Sequence, residues 1–177
     1  MLGRKAVSSP LLMVRHAVAV DRGSWQGDDA LRPLTAEGER QAEALGRWLG
    51  GFDPSPLLSS PTLRCVATLQ PYVAATGKVI VRRPELLPDR VGEAIALVRR
   101  MLPSGGLVCT HGEVIEPVLE ALALRTVNGP SGESAKGSVW VLELDGAAVS
   151  GQYISPEQIE RESLGDLGEV GRRLTDR

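Results

Sequence analysis

The sequence has few of the residues that build metal sites, disulfide frameworks or aromatic clusters. Its 177 residues include only two histidines, two cysteines and 3% aromatic residues. Cys65 and Cys109 lie far apart within apolar patterns, so we expect reduced, buried thiols of a cytoplasmic protein and no zinc motif. Because His16, His111 and isolated carboxylates are too few for a convincing set of ligands, neither a metal nor a cofactor is expected.

The chain also lacks a long apolar run and a strong excess of either charge. An apolar run at residues 11–14 follows the basic start, but it is too short for a signal peptide, and nothing is long enough to span a membrane. We therefore expect no membrane partner. The net charge of -2 and the pI near 5.8 exclude the global basic surface that drives non-specific nucleic-acid binding, so any anion site must be local.

What remains is the composition of an ordinary globular protein, with 42% hydrophobic and 24% charged residues. The length suits one domain with a sizeable core, and we find no repeat. We expect a single domain over residues 1–177, with a mobile tail from about residue 162. A monomer is favoured.

Strand-like and helix-like segments alternate along the chain, which predicts a three-layer αβα sandwich around a mainly parallel sheet. Apolar runs predict strands at 11–14, 56–59, 79–81 and 107–111. Apolar residues at helical spacing predict helices at 36–49, from Ser60-Pro61 to Gly77 with a kink or an end of its first part at Pro71, at 91–101 and at 113–124. Asp145-Gly146 predicts an antiparallel hairpin at the edge of the sheet, and a short helix follows Ser155. Residues 17–33 and 129–137 are predicted loops.

Each histidine directly follows a strand-like apolar run. Because ligands bind outside the carboxyl ends of parallel strands, His16 and His111 are expected in one site. Arg15 precedes His16, and Arg64 lies one turn inside the second helix, from which it can reach back over the strand ends. Each of these residues alone is compatible with a structural role. Together, an uncharged imidazole and two bidentate cations favour attack on a phosphoryl group.

The segments around these residues resemble the histidine phosphatase superfamily, branch 1, also called the phosphoglycerate mutase-like superfamily. The similar segments are Leu-Met-Val-Arg-His-Ala at 12–17, Ser-Ser-Pro-Thr-Leu-Arg-Cys at 59–65 with Thr68, and Cys-Thr-His-Gly at 109–112. Residues 32–35 and 84–88 are similar to the small bacterial phosphohistidine phosphatases. Residues 25–29, 64–65 and 109–115 are similar to the phosphatase domain that follows a Nudix domain in some actinobacterial proteins, although we expect no Nudix domain before it here. Ala17 replaces the more common glycine.

The resemblance implies a metal-independent hydrolase of the phosphoric monoester class. His16 would attack phosphorus and form a phosphohistidine that water hydrolyses, while Arg15, Arg64 and His111 would bind the phosphate oxygens. The general acid implied by the family's pattern would be Glu85, for which a solvated surface role is the alternative. Glu113 is a second candidate, but its place at a helix N-terminus lowers its pKa. A weak or absent acid would favour phosphohistidine or phosphoanhydride substrates.

The long loop after His16 supplies further candidates for substrate binding. Arg22 and Trp25 are candidate binding residues, and Trp25 is equally well explained as a packing anchor for the loop. Asp28 and Asp29 would suit a metal site or repel anions, and a solvated loop tip is preferred to both. The substrate is expected to be a phosphohistidine protein or a phosphorylated small molecule such as a nucleotide, and not a nucleic acid. A catalytically silent phosphate-binding module is the alternative from another class.

Overall fold

The computed structural model of the protein describes residues 9–130 and 133–165, which form one seven-stranded sheet with helices on both faces. The tail that we predicted to be mobile lies outside the described residues from 166 onward. The strands are β1 (Leu11–Arg15), β2 (Leu57–Ser59), β3 (Ile80–Arg82), β4 (Gly106–Thr110), β5 (Arg125–Asn128), β6 (Val139–Asp145) and β7 (Ala148–Ile154). The helices are α1 (Ala36–Leu49), α2 (Leu63–Thr76), α3 (Val91–Met101), α4 (Gly112–Ala121) and α5 (Pro156–Glu162).

The strand order is β3-β2-β4-β1-β6-β7-β5, and the half that carries the histidines is parallel. Strands β3, β2, β4 and β1 pair in parallel, whereas β6 is antiparallel to both β1 and β7. The predicted αβα architecture with a mainly parallel sheet and an antiparallel hairpin is therefore confirmed. The carboxyl ends of β1, β2 and β4 lie side by side at one edge of the sheet.

The core has two halves, one on each face of the sheet. Leu11 and Met13 of β1 pack among the buried residues of α3 and α4, while Leu12 and Val14 pack among those of α1, α2 and α5. All four of these β1 side chains have no exposed surface. A continuous apolar run is what a strand covered on both faces requires, so β1 could be recognised from sequence.

Helix ends follow the local capping chemistry that the sequence displays. The Thr35 hydroxyl accepts a hydrogen bond of 3.1 Å from the Gly38 N–H at the start of α1. Gly77 ends α2 with a positive φ of 70°, a conformation that glycine adopts without a Cβ penalty. The predicted bounds of α1 and α3 are confirmed. In the described part of the chain, no helix has both the length and the apolar character needed to cross a membrane.

Three predicted details of the fold are wrong. Helix α2 begins at Leu63 after Thr62, and not at Pro61 after Ser60, because the Ser60 hydroxyl bonds a histidine instead of capping a helix. Pro71 does not end the helix but lies inside the continuous α2, against which α1 packs. The hairpin β6–β7 is not the edge of the sheet, because β5 pairs with β7. The four residues of β5 are all exposed, so no apolar run predicts this strand.

Candidate active site

His16 and His111 lie beside each other at the carboxyl edge of the parallel strands. The pairing of β1 with β4 places Arg15 opposite Thr110, and a histidine follows each of these two residues. The backbone N–H of His16 donates to the Thr110 carbonyl at 3.0 Å, and the two ring centroids are 5.3 Å apart with planes inclined at 68°. Both rings are almost fully buried. The structure thus brings together the two imidazoles that the sequence places at two strand ends.

A pocket of about 310 Å³ opens over these rings and is lined almost entirely by charged side chains. Five cationic and three acidic residues line it, which leaves an excess of two positive charges, the amount that a phosphoryl dianion needs. Pro88 is the only apolar residue among the eleven described residues that line it. The charged members are Arg15, Arg22, Arg32, Arg64, Lys136, Asp21, Asp29 and Glu113.

His16 is held in the protonation state of a nucleophile. Its Nδ1 lies 2.8 Å from the carbonyl oxygen of Ala17, and since a carbonyl only accepts, Nδ1 carries the proton and Nε2 keeps its lone pair. Burial lowers the pKa of His16 to about 4, so the ring is neutral near pH 7. The Ala17 N–H donates to the Thr68 hydroxyl at 2.9 Å, and that hydroxyl donates to the Arg64 carbonyl at 2.7 Å. Helix α2 thereby fixes the backbone next to His16.

His111 is oriented by a serine whose role the sequence analysis missed. His111 Nε2 lies 2.9 Å from Ser60 Oγ, and its Nδ1 lies 3.4 Å from Nη2 of Arg64. A guanidinium only donates, so Nδ1 accepts that bond and Nε2 donates to the serine. Ser60 follows β2, and its N–H donates to the Cys109 carbonyl at 2.9 Å. The sequence places Ser60 at the start of a predicted helix, and it is the pairing of β2 with β4 that brings its hydroxyl to His111 instead.

Arg15 reaches the pocket through a gap that only glycine leaves open. Its Nη1 donates to the carbonyl of Ser134 and lies 3.8 Å from the carboxylate of Glu133. A Cβ on Gly112 would lie 2.7 Å from Cζ and 2.8 Å from Nη2 of Arg15, so the guanidinium packs directly over the first residue of α4. Among the described residues, the buried Nε atoms of Arg15 and Arg64 have no hydrogen-bond partner. Each guanidinium therefore keeps one buried N–H that no group in the described part of the protein accepts.

Arg64 is held by Asp29, a residue for which the sequence analysis preferred a solvated position. Nη1 of Arg64 donates to the Asp29 carbonyl at 2.8 Å, and Nη2 lies 3.1 Å from its Oδ2. Oδ1 accepts from Nε of Arg32 at 2.9 Å and lies 3.5 Å from Nε of Arg22. Partial burial alone would raise the pKa of Asp29, but the bond from Arg32 and the charge of Arg64 outweigh it and lower the pKa.

The two glutamates considered as general acids differ in position. Glu85 is not among the residues that line the pocket, because its carboxylate is paired with the guanidinium of Arg83. That hydrogen bond lowers the pKa of Glu85 to about 2. Glu113 does line the pocket, but its own backbone N–H at the start of α4 lowers its pKa, in the direction the sequence predicts. Neither glutamate has the raised pKa that a proton donor needs at neutral pH.

Of the two candidate binding residues in the long loop, Arg22 lines the pocket and Trp25 does not. Arg22 lines the pocket with a largely exposed side chain, so it is available at the mouth. Trp25 does not line it; its Nε1 donates to the Asp28 carbonyl at 3.0 Å, and its ring packs over Gly27. These contacts support Trp25 as a packing anchor of its own loop. Asp28 caps the helical turn Asp29–Leu31 by accepting from the Ala30 N–H at 2.9 Å.

Sequence comparison identifies similar proteins among phosphatases. The model of the histidine phosphatase superfamily (branch 1) matches residues 11–87. The 8-oxo-(d)GTP phosphatase of Mycolicibacterium smegmatis is 33% identical over 161 residues, which cover 86% of this chain and 50% of that protein. This chain thus spans about half the length of that relative.

Solved structures of two phosphatases share the fold. The protein histidine phosphatase SixA in complex with tungstate superposes with a TM-score of 0.65 at 21% identity, covering 85% of this chain and 99% of that one. A mycobacterial glucosyl-3-phosphoglycerate phosphatase with inorganic phosphate superposes with a TM-score of 0.64 at 16% identity, covering 86% of this chain and 99% of that one. At these identities the likeness concerns the fold alone.

Proposed function

We propose that the chain belongs to the histidine phosphatase superfamily (branch 1), whose model matches residues 11–87, and that it is a phosphatase that works through a phosphohistidine on His16. The observation that carries the proposal is the state of the His16 ring. It is buried and neutral, its Nδ1 proton is bound to the Ala17 carbonyl, and its Nε2 lone pair is left for attack. Arg15 and Arg64 line the same pocket with it.

In the first step, Nε2 of His16 attacks phosphorus in line, and the bond to the leaving group breaks with its electron pair. The ring then carries the phosphoryl group on Nε2 and a proton on Nδ1, and the bond to the Ala17 carbonyl stabilises the positive charge that develops on the ring. In the second step, water attacks phosphorus. Inorganic phosphate leaves, and the electron pair returns to Nε2.

The remaining pocket residues stabilise charge on the transferred phosphoryl group. Arg15 and Arg64 line the pocket with their positive charges, and His111, whose ring nitrogens bond Arg64 and Ser60, holds the Arg64 guanidinium beside His16. Helix α4 begins directly after His111, so its N-terminal N–H groups add positive potential at this edge. Equatorial oxygens of a phosphoryl group in transfer need this kind of fixed, positively charged surrounding. The proposal assigns no step to a metal.

We propose substrates whose leaving group departs without a strong acid. The pKa values of Asp29 and Glu113, two carboxylic acids that line the pocket, are lowered, so these groups are poor proton donors. Phosphohistidine and phosphoanhydrides have better leaving groups than alkyl esters. The polar pocket, with Pro88 as its only apolar lining residue among those described, supports recognition of the phosphoryl group alone, with the rest of the substrate outside. A protein phosphohistidine is the substrate of this kind that we favour.

A nucleotide is the second candidate, and one observation favours it. The relative at 33% identity is an 8-oxo-(d)GTP phosphatase, although this chain matches only half of that protein. Hydrolysis of a phosphoanhydride likewise needs no strong acid. The two candidates differ in what they require outside the pocket, a protein surface for one and a contact with the base for the other.

Covalent trapping tests the mechanism. The wild type and His111→Ala are mixed with substrates that carry a label in the transferred phosphoryl group, and the reactions are quenched in alkali. The substrates are a phosphohistidine protein, a nucleoside triphosphate and a sugar phosphate. We expect acid-labile label on His16 and none on His16→Ala. If the ligands bind but label neither the wild type nor His111→Ala, the protein is a phosphate-binding module and not an enzyme. The relative hydrolysis rates then rank the substrate classes.

A further inference from the structure

We propose that Asp29 is a positioning residue that holds Arg64 in the orientation that binds the transferred phosphoryl group. The inference rests on the proposed function, because it assigns Arg64 to the phosphate. Asp29 lies 35 positions before Arg64 in the chain, in the long loop after β1. It would act through the arginine, without contacting the substrate itself.

The contacts between the two residues fix the guanidinium at two of its three nitrogen atoms. Nη1 of Arg64 donates to the backbone carbonyl of Asp29 at 2.8 Å, and Nη2 meets the carboxylate at 3.1 Å. Arg64 is only 4% exposed, so water cannot substitute for a lost partner at most of its surface. A planar guanidinium held at both Nη atoms cannot rotate about its long axis, which leaves the direction of Nε determined.

Asp29 is itself held from the opposite side, which makes it a rigid support. Its Oδ1 accepts from Nε of Arg32 at 2.9 Å, and Nη1 of Arg32 donates to the Val20 carbonyl at 2.7 Å. The side chain of Arg32 is 11% exposed, so this anchor is also largely buried. The carboxylate is therefore placed between one arginine that ties it to the loop and another that reaches the pocket.

The charge of Asp29 provides the argument for positioning. A carboxylate that lines a phosphate pocket repels the substrate, so removal of its charge would strengthen anion binding if simple attraction decided the outcome. If Asp29 instead orients Arg64, removal weakens binding and slows transfer, because a misplacement of about 1 Å costs about 100-fold in rate. The two roles predict effects of opposite sign.

A double-mutant cycle between Asp29→Asn and Arg64→Ala measures the coupling. The readouts are kcat/KM for the best substrate and the Kd of tungstate by calorimetry. In the wild-type background we expect Asp29→Asn to lower kcat/KM about 10- to 100-fold and to weaken tungstate binding about 10-fold. In the Arg64→Ala background we expect the same substitution to change either quantity by less than about threefold. Asp28→Asn is the matched control, because Asp28 does not line the pocket and asparagine also caps a helix.

Equal losses in both backgrounds would overturn the proposal, as would tighter tungstate binding by Asp29→Asn. Thermal unfolding of every variant shows whether it is folded. If Asp29→Asn does not fold, Asp29→Glu takes its place; because it keeps the charge and shifts the carboxylate, a loss of kcat/KM that requires Arg64 supports positioning, and an equal loss in both backgrounds overturns it. The tungstate arm needs no turnover, so failure of the phosphatase activity leaves the coupling between Asp29 and Arg64 open to measurement.

Discussion

Replacing Gly112 with alanine displaces the Arg15 guanidinium without removing any side chain from the site. Gly112 is the first residue of α4 and directly follows His111. An alanine Cβ would lie 2.7 Å from Cζ of Arg15, so the guanidinium must move by about 0.7 Å to reach the ordinary contact distance of 3.4 Å. The bond from Nη1 to the Ser134 carbonyl resists this movement, because it holds the far side of the same group.

We expect Gly112→Ala to lower kcat/KM about 10- to 100-fold, which corresponds to about 1.4 to 2.8 kcal/mol of lost transition-state stabilisation. Stability should change little, because the clash involves the end of the Arg15 side chain and no backbone atom. Loss of activity without loss of stability is thus the expected signature. It would show that the position of Arg15, and not only its charge, matters.

The assay compares kcat/KM and the thermal midpoint of the wild type, Gly112→Ala and Gly92→Ala. Gly92 is the matched control, because it lies in α3 with no heavy atom within 4 Å of a built Cβ. Gly92→Ala should keep full activity and a midpoint equal to or above that of the wild type. If Gly112→Ala retains kcat/KM within about twofold, the inferred contact between Arg15 and α4 does not position the phosphate, and the reasoning is refuted.

Two further predictions concern titration and proton donation. NMR titration of the imidazole should show a His16 pKa of about 4. Since only the neutral ring attacks, the acid limb of the pH profile of kcat/KM that belongs to His16 should lie below pH 5. An acid limb near pH 6.5 would contradict this. Glu85→Gln should leave kcat/KM within about twofold of the wild type, because Glu85 is paired with Arg83 and does not line the pocket, whereas a general acid at this position would cost about 100-fold or more.

Local sequence signals sufficed for much of the fold because each depends on neighbours in the chain. The apolar run of β1 predicts a strand covered on both faces, and Thr35 and the apolar spacing after it predict α1 to the residue. Strand β5 carries no such signal, because an exposed edge strand of four residues buries nothing. The Asp145-Gly146 turn predicts the hairpin β6–β7 but not its neighbours, since local turn chemistry carries no information on which strand pairs with β7.

The same distinction applies to the site. Parallel strands end at one edge, so the positions of His16 and His111 after β1 and β4 were enough to predict that they meet. No local pattern shows that Ser60 bonds His111, that Glu85 forms an ion pair with Arg83 or that Asp29 holds Arg64.

By itself, the sequence determined most of the strands and helices and which side chains stand at the strand ends, because periodicity and capping act over a few residues. Only the tertiary structure decided what each polar group bonds. Hydrogen bonds and ion pairs form within about 3 Å, and it is the packing of distant segments that selects the two groups that come so close.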